Sequence, residues 1–281
     1  MAGYTDYAFR KTLQKCGATV TWTEMISATA IFHESEKTKE MLKSDSKTIV
    51  QLFGKNSAHF EHVIKSGILD KFTEININMG CPARKITSNG DGCALMKPPP
   101  NLACEIIEAC VRVSKVPVSV KMRLGFTPEP PNHDILPYAV QFALMCQAAG
   151  ASRLIVHGRF GTQGYSGIAD WNAIAEVVQA VRIPVVANGD VRDAEHAKEC
   201  IRQTGAAGVM IGRALIGAPW KISTKKVNPK QIIKYHLKHA ASIVEMRKHL
   251  VAYANYLPNG KDIKKRLALV KSFDEALNLI K

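Results

Sequence analysis

The residues with the most chemical content fall into three groups. The first is Asn76-Ile77-Asn78-Met79-Gly80-Cys81-Pro82-Ala83-Arg84-Lys85, followed by Gly90-Asp91-Gly92-Cys93-Ala94-Leu95-Met96. Cys81 stands between a glycine and a proline just past an apolar run, on a tightly shaped backbone. A free thiol titrates near ~8.5, so it carries a proton at neutral pH and suits a general acid that Arg84 and Lys85 would tune. The ordinary role of an unpaired cysteine is a small buried hydrophobe. That role is assigned to Cys16, Cys104, Cys110, Cys146 and Cys200, which lie in or beside helical patterns, and to Cys93.

The second group is Val118-Ser119-Val120-Lys121-Met122-Arg123 together with Val156-His157-Gly158-Arg159. A lysine ending a buried strand needs a partner. Either the anionic edge of a cofactor or a carboxylate such as Glu24 would supply one. His157 alone reads as structural more often than catalytic. The third group is Asn188-Gly189-Asp190 and Gly212-Arg213, at the ends of two successive apolar runs. Paired turns of this kind bind phosphate in many barrels. Gly189 and Gly212 allow close backbone approach, and Arg213 adds a charged donor. Ordinary strand-to-helix turns are the alternative.

The elements that would carry these residues follow from the periodicity. Short β-branched runs at Val20–Glu24, Thr48–Phe53, Glu74–Met79, Pro117–Arg123, Arg153–His157, Pro184–Asn188 and Gly208–Ile211 read as strands. Amphipathic stretches at Asp6–Lys15, Ala58–Ser66, Leu102–Ser114, Ile135–Ala149, Asn172–Val181 and Ala194–Thr204 read as helices between them. Strand–helix alternation predicts an α/β fold with a parallel sheet. Polar residues gather at the strand ends, which favours a (β/α)8 TIM barrel whose mouth is the active site. A doubly wound sheet would show a Gly-rich fingerprint after its first strand, and this sequence has none. A strand before Met1 is absent or reduced to its last residue. After Leu215 the pattern changes to a linker at Pro219-Trp220 and Lys225–Pro229. Helical runs follow near Gln231–Leu250 and Asp262–Leu279, separated by the turn Pro258-Asn259-Gly260. The expected domains are residues 1–220, the barrel, and 221–281, a small C-terminal helical domain.

Composition narrows the function classes. The chain has 281 residues, 46% hydrophobic and 22% charged, enough for a large core. Its 7 cysteines form no C-x-x-C pair, so neither a disulfide framework nor a zinc site is expected, and no metal is assigned. Free thiols and the absence of a signal-like or membrane-length apolar stretch predict a cytoplasmic protein that does not engage a membrane. From Lys221 onward the chain holds 14 of its 38 Lys and Arg but 4 of its 24 acidic residues, so +10 of the net +14 lies there. Such a segment is either a solvated surface or a polyanion-binding appendage.

Taken together, the segments resemble the tRNA-dihydrouridine synthase family, in its bacterial B-type branch. The resemblance rests on Met1–Asp6 with Phe9-Arg10, Thr23-Glu24-Met25, Gln51–Gly54, Asn76–Pro82 with Gly92–Met96, and Val120–Gly125. It extends through His157-Gly158-Arg159, Tyr165-Ser166-Gly167, Asp170-Trp171, Asn188-Gly189-Asp190 and Gly212-Arg213, all in family order up to about Trp220. The Asn-x-Gly-Cys-Pro loop with Lys-Met-Arg and His-Gly-Arg downstream is the most specific part. The resemblance implies an FMN enzyme, reduced by NADPH, that saturates the C5–C6 bond of a uridine in tRNA. It implies that Met1, Ala2, Gln51, Lys121, His157, Asn188, Gly189, Asp190, Gly212 and Arg213 hold FMN, and that Cys81 protonates C5 while hydride reaches C6. Asn78 is expected to contact the base, beside Arg84 and Lys85. The basic tail, with Lys264, Lys265 and Arg266, is expected to grip tRNA. A monomer without an obligate protein partner is expected. A barrel acting on a free pyrimidine would share the phosphate corner but would not need the basic appendage.

Overall fold

The β-branched runs form strands because their side chains pack on both faces of a parallel sheet. In the computed structural model, which describes residues 1–45, 47–128 and 136–280, the chain opens with helix α1 (Tyr7–Lys15) and strand β1 (Thr21–Ser27). Two short helices, α2 (Ala28–Phe32) and α3 (Glu36–Glu40), precede β2 (Thr48–Phe53). Then come α4 (Ser57–Lys65), β3 (Ile75–Met79), the short α5 (Arg84–Thr87), α6 (Asn101–Val113) and β4 (Val118–Met122). The alternation continues with α7 (Tyr138–Ala148), β5 (Arg153–His157), α8 (Trp171–Ala180), β6 (Val185–Asn188), α9 (Ala194–Thr204) and β7 (Gly208–Met210). Each predicted strand is present to within a few residues. The helices α2, α3 and α5 were not anticipated, being too short to show a period. The predicted start of the seventh-numbered helix at Ile135 lies outside the described residues.

The seven strands form one parallel sheet in the sequential order β1 to β7, so every crossover connects neighbours as in a barrel. Between β1 and β2 the register slips at Trp22–Met25, a bulge across which Thr23 Oγ1 accepts the Gln51 amide at 2.9 Å. Among the described residues β1 and β7 are the sheet edges. The first residues bridge them at the mouth. The amide of Gly3 donates to the carboxylate of Glu24 in β1, and a Cβ on Gly212, just beyond β7, would lie 3.6 Å from Met1 Sδ.

Local signals place the helices. Asp6, Asn56, Asp170 and Asp193 each accept an amide in the first turn of α1, α4, α8 and α9. The helices bury Phe60, Ile106, Ile107, Phe142, Ile174 and Cys200 against the strands in one continuous core. A second apolar cluster lies beyond Trp220, built from α10 (Pro229–His239), α11 (Ile243–Tyr253), α12 (Gly260–Leu267) and α13 (Phe273–Ile280). The two long helical runs read from the sequence are therefore each split. Ser242 caps α11 through the Val244 amide, and Ser272 accepts the Glu275 amide at the start of α13. Serine prefers such a cap to a helix interior, and it ends one helix as it starts the next. Helix α1 packs against α10, with Phe9 and Leu13 in a small cluster of their own beside Leu215. Among the described residues no helix is long and apolar enough to cross a membrane.

Candidate active site

A cavity of about 1040 Å³ opens at the C-terminal ends of the strands. Its lining includes Cys81 and every residue expected at the cofactor: Met1, Ala2, Gln51, Lys121, His157, Asn188, Gly189, Asp190, Gly212 and Arg213. Parallel strands bring their last residues to one rim, so positions scattered along the chain converge.

The Cys81 loop is fixed from below and from the side. Asn78, at the end of β3, accepts the amides of Gly80 at 3.1 Å and Cys81 at 2.9 Å through Oδ1. Its Nδ2 donates to Gln51 Oε1 at 2.9 Å, and Gln51 Nε2 donates to Asn76 Oδ1 at 2.8 Å. The chain continues through Asn76 Nδ2 to Ser119 Oγ at 2.7 Å, then to Glu74, which is paired with Arg153. This buried ladder of amides crosses the sheet interior and ends on the loop that carries the thiol. Asn78 is thus committed to positioning Cys81. A base contact would have to share those atoms. Gly92 has φ +58°, and a Cβ there would fall 2.9 Å from the Cys81 carbonyl oxygen, so only glycine lets the returning loop lie against Cys81.

Two arginines clamp the opposite loop. Arg123 is 1% exposed; its Nε donates to Gly80 O at 2.9 Å, and Nη1 donates to Phe160 O at 2.7 Å and Gly164 O at 2.9 Å. Arg159, 2% exposed, donates to Ser166 O at 3.1 Å, Gly167 O at 2.7 Å and Asp190 Oδ2 at 2.6 Å. Tyr165 lies between them at the mouth, with the Arg213 guanidinium 4.0 Å over its ring. Neither Arg159 nor Tyr165 was assigned a role from sequence, although both stand in segments that carry the family resemblance. A buried arginine at a strand end was the available signal, since such a group must be fully hydrogen-bonded.

Positive charge exceeds negative charge here. Lys121, Arg123, Arg159 and Arg213 all bear on His157, whereas Asp190 pairs with Arg159 and, at 3.5 Å, with Arg213. Burial, reinforced by these cations, lowers the His157 pKa to about 2, so the imidazole is neutral. Burial also lowers Lys121 to about 8, with Arg123 pushing the same way. The partner of Lys121 is Asn188 Oδ1 at 3.0 Å, not Glu24, and an ammonium has three donors to place. The indole Nε1 of Trp22, on the cavity wall, is buried without a partner. At the corner after β6, Gly189 has φ +118°, and a Cβ would meet Ala169 Cβ at 2.6 Å and His157 Cδ2 at 2.9 Å. That glycine serves the packing of the corner, while the surplus cations and free donors fit an elongated anion with a phosphate end.

The remaining predicted residues lie elsewhere. Arg84 and Lys85 open α5 and are exposed, outside the cavity lining. Lys264, Lys265 and Arg266 are exposed on α12. Cys93 is buried, its Sγ 3.7 Å from Gly125 O, and burial lifts its pKa to about 11, in keeping with a packing role.

The family described as "Dihydrouridine synthase (Dus)" matches residues 1–280. A probable tRNA-dihydrouridine synthase of Rhodobacter capsulatus is 42% identical over 79% of this chain and 68% of its own length. One from Synechocystis sp. is 32% identical over 100% of this chain and 83% of its own. The tRNA-dihydrouridine synthase B of Pseudomonas aeruginosa is 36% identical over 78% of this chain and 65% of its own. Among solved structures, a variant of NCR from Zymomonas mobilis superposes with TM-score 0.50 at 14% identity, covering 78% of this chain and 81% of that one, which is a likeness of fold.

Proposed function

The chain belongs to the dihydrouridine synthase family, and from that premise we propose that it is a flavin-dependent tRNA-dihydrouridine synthase that reduces the C5–C6 double bond of a uridine in tRNA. One observation carries the reading. Cys81 and the cation-rich phosphate corner share a single cavity, large enough for a mononucleotide cofactor and a base.

FMN, when bound, supplies hydride for C6 of the uracil, with NADPH as the reductant. The protein supplies binding, orientation and the proton. Gly189, Gly212 and Arg213 would hold the phosphate, while Met1, Ala2, Gln51, His157, Asn188 and Asp190 enclose the rest. The Lys121 ammonium would face the most electron-rich part of the cofactor, for which a buried cation is the natural partner. Cys81 donates its proton to C5. Asn78, Arg123 and Gly92 hold its loop so that the thiol meets a base drawn out of the folded tRNA. The apolar side chains of Tyr165 and Ile168, exposed at the rim, suit a nucleoside entering there.

Residues 1–220 form the catalytic domain in this reading, and residues 221–281 the tRNA-gripping one. The reading is tested on purified protein by its visible spectrum, anaerobic reduction with NADPH, and mixing with unmodified tRNA. Flavin absorbance whose reduced form is reoxidised by that tRNA, and not by free uracil, is the expected result. Reoxidation by free uracil alone would instead assign the cavity to a free pyrimidine.

A further inference from the structure

Behind Tyr4 of the cavity wall, where the C-terminal helices meet α1, two histidines are buried with ring nitrogens that lack a partner. His236 in α10 and His249 in α11 are each 0% exposed. Both ring nitrogens of His249 lack a hydrogen-bond partner, and so does Nε2 of His236. Phe9 packs on both rings, with centroids 5.5 Å from His236 and 4.8 Å from His249, and Tyr4 meets His249 edge-on. The third member is Asp6, the N-cap of α1. Its Oδ1 accepts the Phe9 amide at 2.8 Å, while its Oδ2 lies 3.9 Å from His249 Nε2. One donor atom from each of Asp6, His236 and His249 lies within 4.8 Å of the other two.

We propose that Asp6, His236 and His249 form a binding site for a zinc-class divalent metal ion that fastens the C-terminal helices to the barrel. Buried polar atoms in folded proteins are nearly always satisfied, and an unsatisfied nitrogen on each of two rings, with one donor atom of each converging on Asp6, marks a missing partner. Two imidazoles and a carboxylate make a donor set that such ions take in tetrahedral geometry, with water as the fourth ligand. The support around His236 is in place. His236 Nδ1 lies 2.8 Å from the Tyr253 hydroxyl, and a hydrogen bond at that nitrogen fixes the tautomer that leaves Nε2 free for a metal. Burial lowers both imidazole pKa values, His249 to about 3, which keeps the rings in the neutral, ligand-competent form. At metal–ligand bonds of 2.0–2.2 Å the donors of a tetrahedral site stand roughly 3.4 Å apart, so small side-chain rotations close the cluster. No local pattern marks the site, because Asp6 and the two histidines are separated by most of the chain.

The experiment uses the whole purified protein, stripped with a chelator and then equilibrated with Zn2+ alone. Metal content after desalting, the melting temperature and zinc-edge X-ray absorption are measured for it and for Asp6→Asn. That substitution keeps the cap oxygen and removes the charged ligand. The expected result is one equivalent of zinc, a first shell of N and O near ~2.0–2.1 Å, and a zinc-dependent rise in melting temperature. Asp6→Asn should bind at least ~10-fold more weakly and lose that rise while keeping its far-UV spectrum. His249→Gln should do the same, and if it fails to fold, Asp6→Asn still decides the question. Zinc that does not bind, zinc with sulfur neighbours near ~2.3 Å from one of the free cysteines, or equal binding by Asp6→Asn would overturn the proposal. In those cases an Asp6–His249 hydrogen bond or a bridging water satisfies the cluster.

Discussion

The cations of the barrel and those of the C-terminal helices answer to opposite physical demands. Arg123 and Arg159 are almost wholly buried, each guanidinium is spent on named carbonyls or a carboxylate, and Lys121 and Arg213 face a shaped cavity. Lys264, Lys265 and Arg266 stand in solvent on α12, where Lys264 donates to the Asn255 side chain at 3.1 Å. A buried charge must be fully compensated, so its geometry is fixed and it selects one ligand shape. An exposed charge is screened and mobile, so it attracts a polyanion without dictating its sequence. In the proposed function the molecule thus separates chemical selectivity from bulk attraction. One set of cations sits in a low-dielectric rim, the other on a helix face.

The severest break in the comparison is at the thiol that shares the cavity with the first cation set. Cys81→Ala should leave flavin bound and reducible but cut dihydrouridine formation by about 10²–10⁴-fold, the usual worth of a positioned acid. Product counted by mass spectrometry of treated tRNA measures it, and normal turnover would remove Cys81 from the proposed chemistry. Next in size is Lys121→Met, with an expected loss of about 10–100-fold in flavin affinity, since one buried charge-assisted contact is removed. Here pH gives a second readout. Lys121 titrates at about 8 in the folded protein, so it is charged below that value and neutral above it. Flavin affinity should therefore fall as pH rises through 8 in the parent and stay flat in Lys121→Met. The linkage to stability has the opposite sense. The folded pKa lies below the ordinary lysine value of 10.5, so burying the charge costs stability below about 8, and the cost is relieved as pH rises from there toward 10.5.

Arg123→Lys tests whether a buried cation serves by its fork or by its charge. Lysine keeps the charge but cannot reach Gly80, Phe160 and Gly164 together. A fall of about 10-fold in turnover is expected, with flavin affinity nearly unchanged, as read from steady-state rates and a flavin titration. The smallest effect is expected from the tail. Lys264→Glu, Lys265→Glu and Arg266→Glu together should weaken tRNA binding several-fold at low salt, flatten its salt dependence, and leave NADPH oxidation unaltered. A filter-binding series in salt decides it, and an unchanged slope would mean that tRNA is held elsewhere.

Much of this was legible in the residues. The short β-branched runs and their alternation with helical stretches placed the seven strands, because burial on both faces leaves few residue types at those positions. That Cys81, Lys121, His157 and the two glycine corners share one rim was legible because the strand ends of a parallel barrel converge. The breaks at Ser242 and Ser272 were not, since a serine inside a helical period acts as a cap only when the chain around it turns. The commitment of Asn78 to the Cys81 loop was hidden as well. An amide's partners depend on what lies beside it in space, and Gln51 comes from another strand.

The sequence by itself determined the alternation of elements, the chemistry available at each strand end and the gathering of basic residues after Lys221. These follow from local periodicity and composition, which each segment carries alone. Only the tertiary structure decided which donors are spent and which remain free, and that the N-cap of the first helix meets two distant histidines. The reason is that hydrogen-bond satisfaction and ligand geometry are properties of neighbours in space. Chain separations as long as that from Asp6 to His249 leave no trace in any local window.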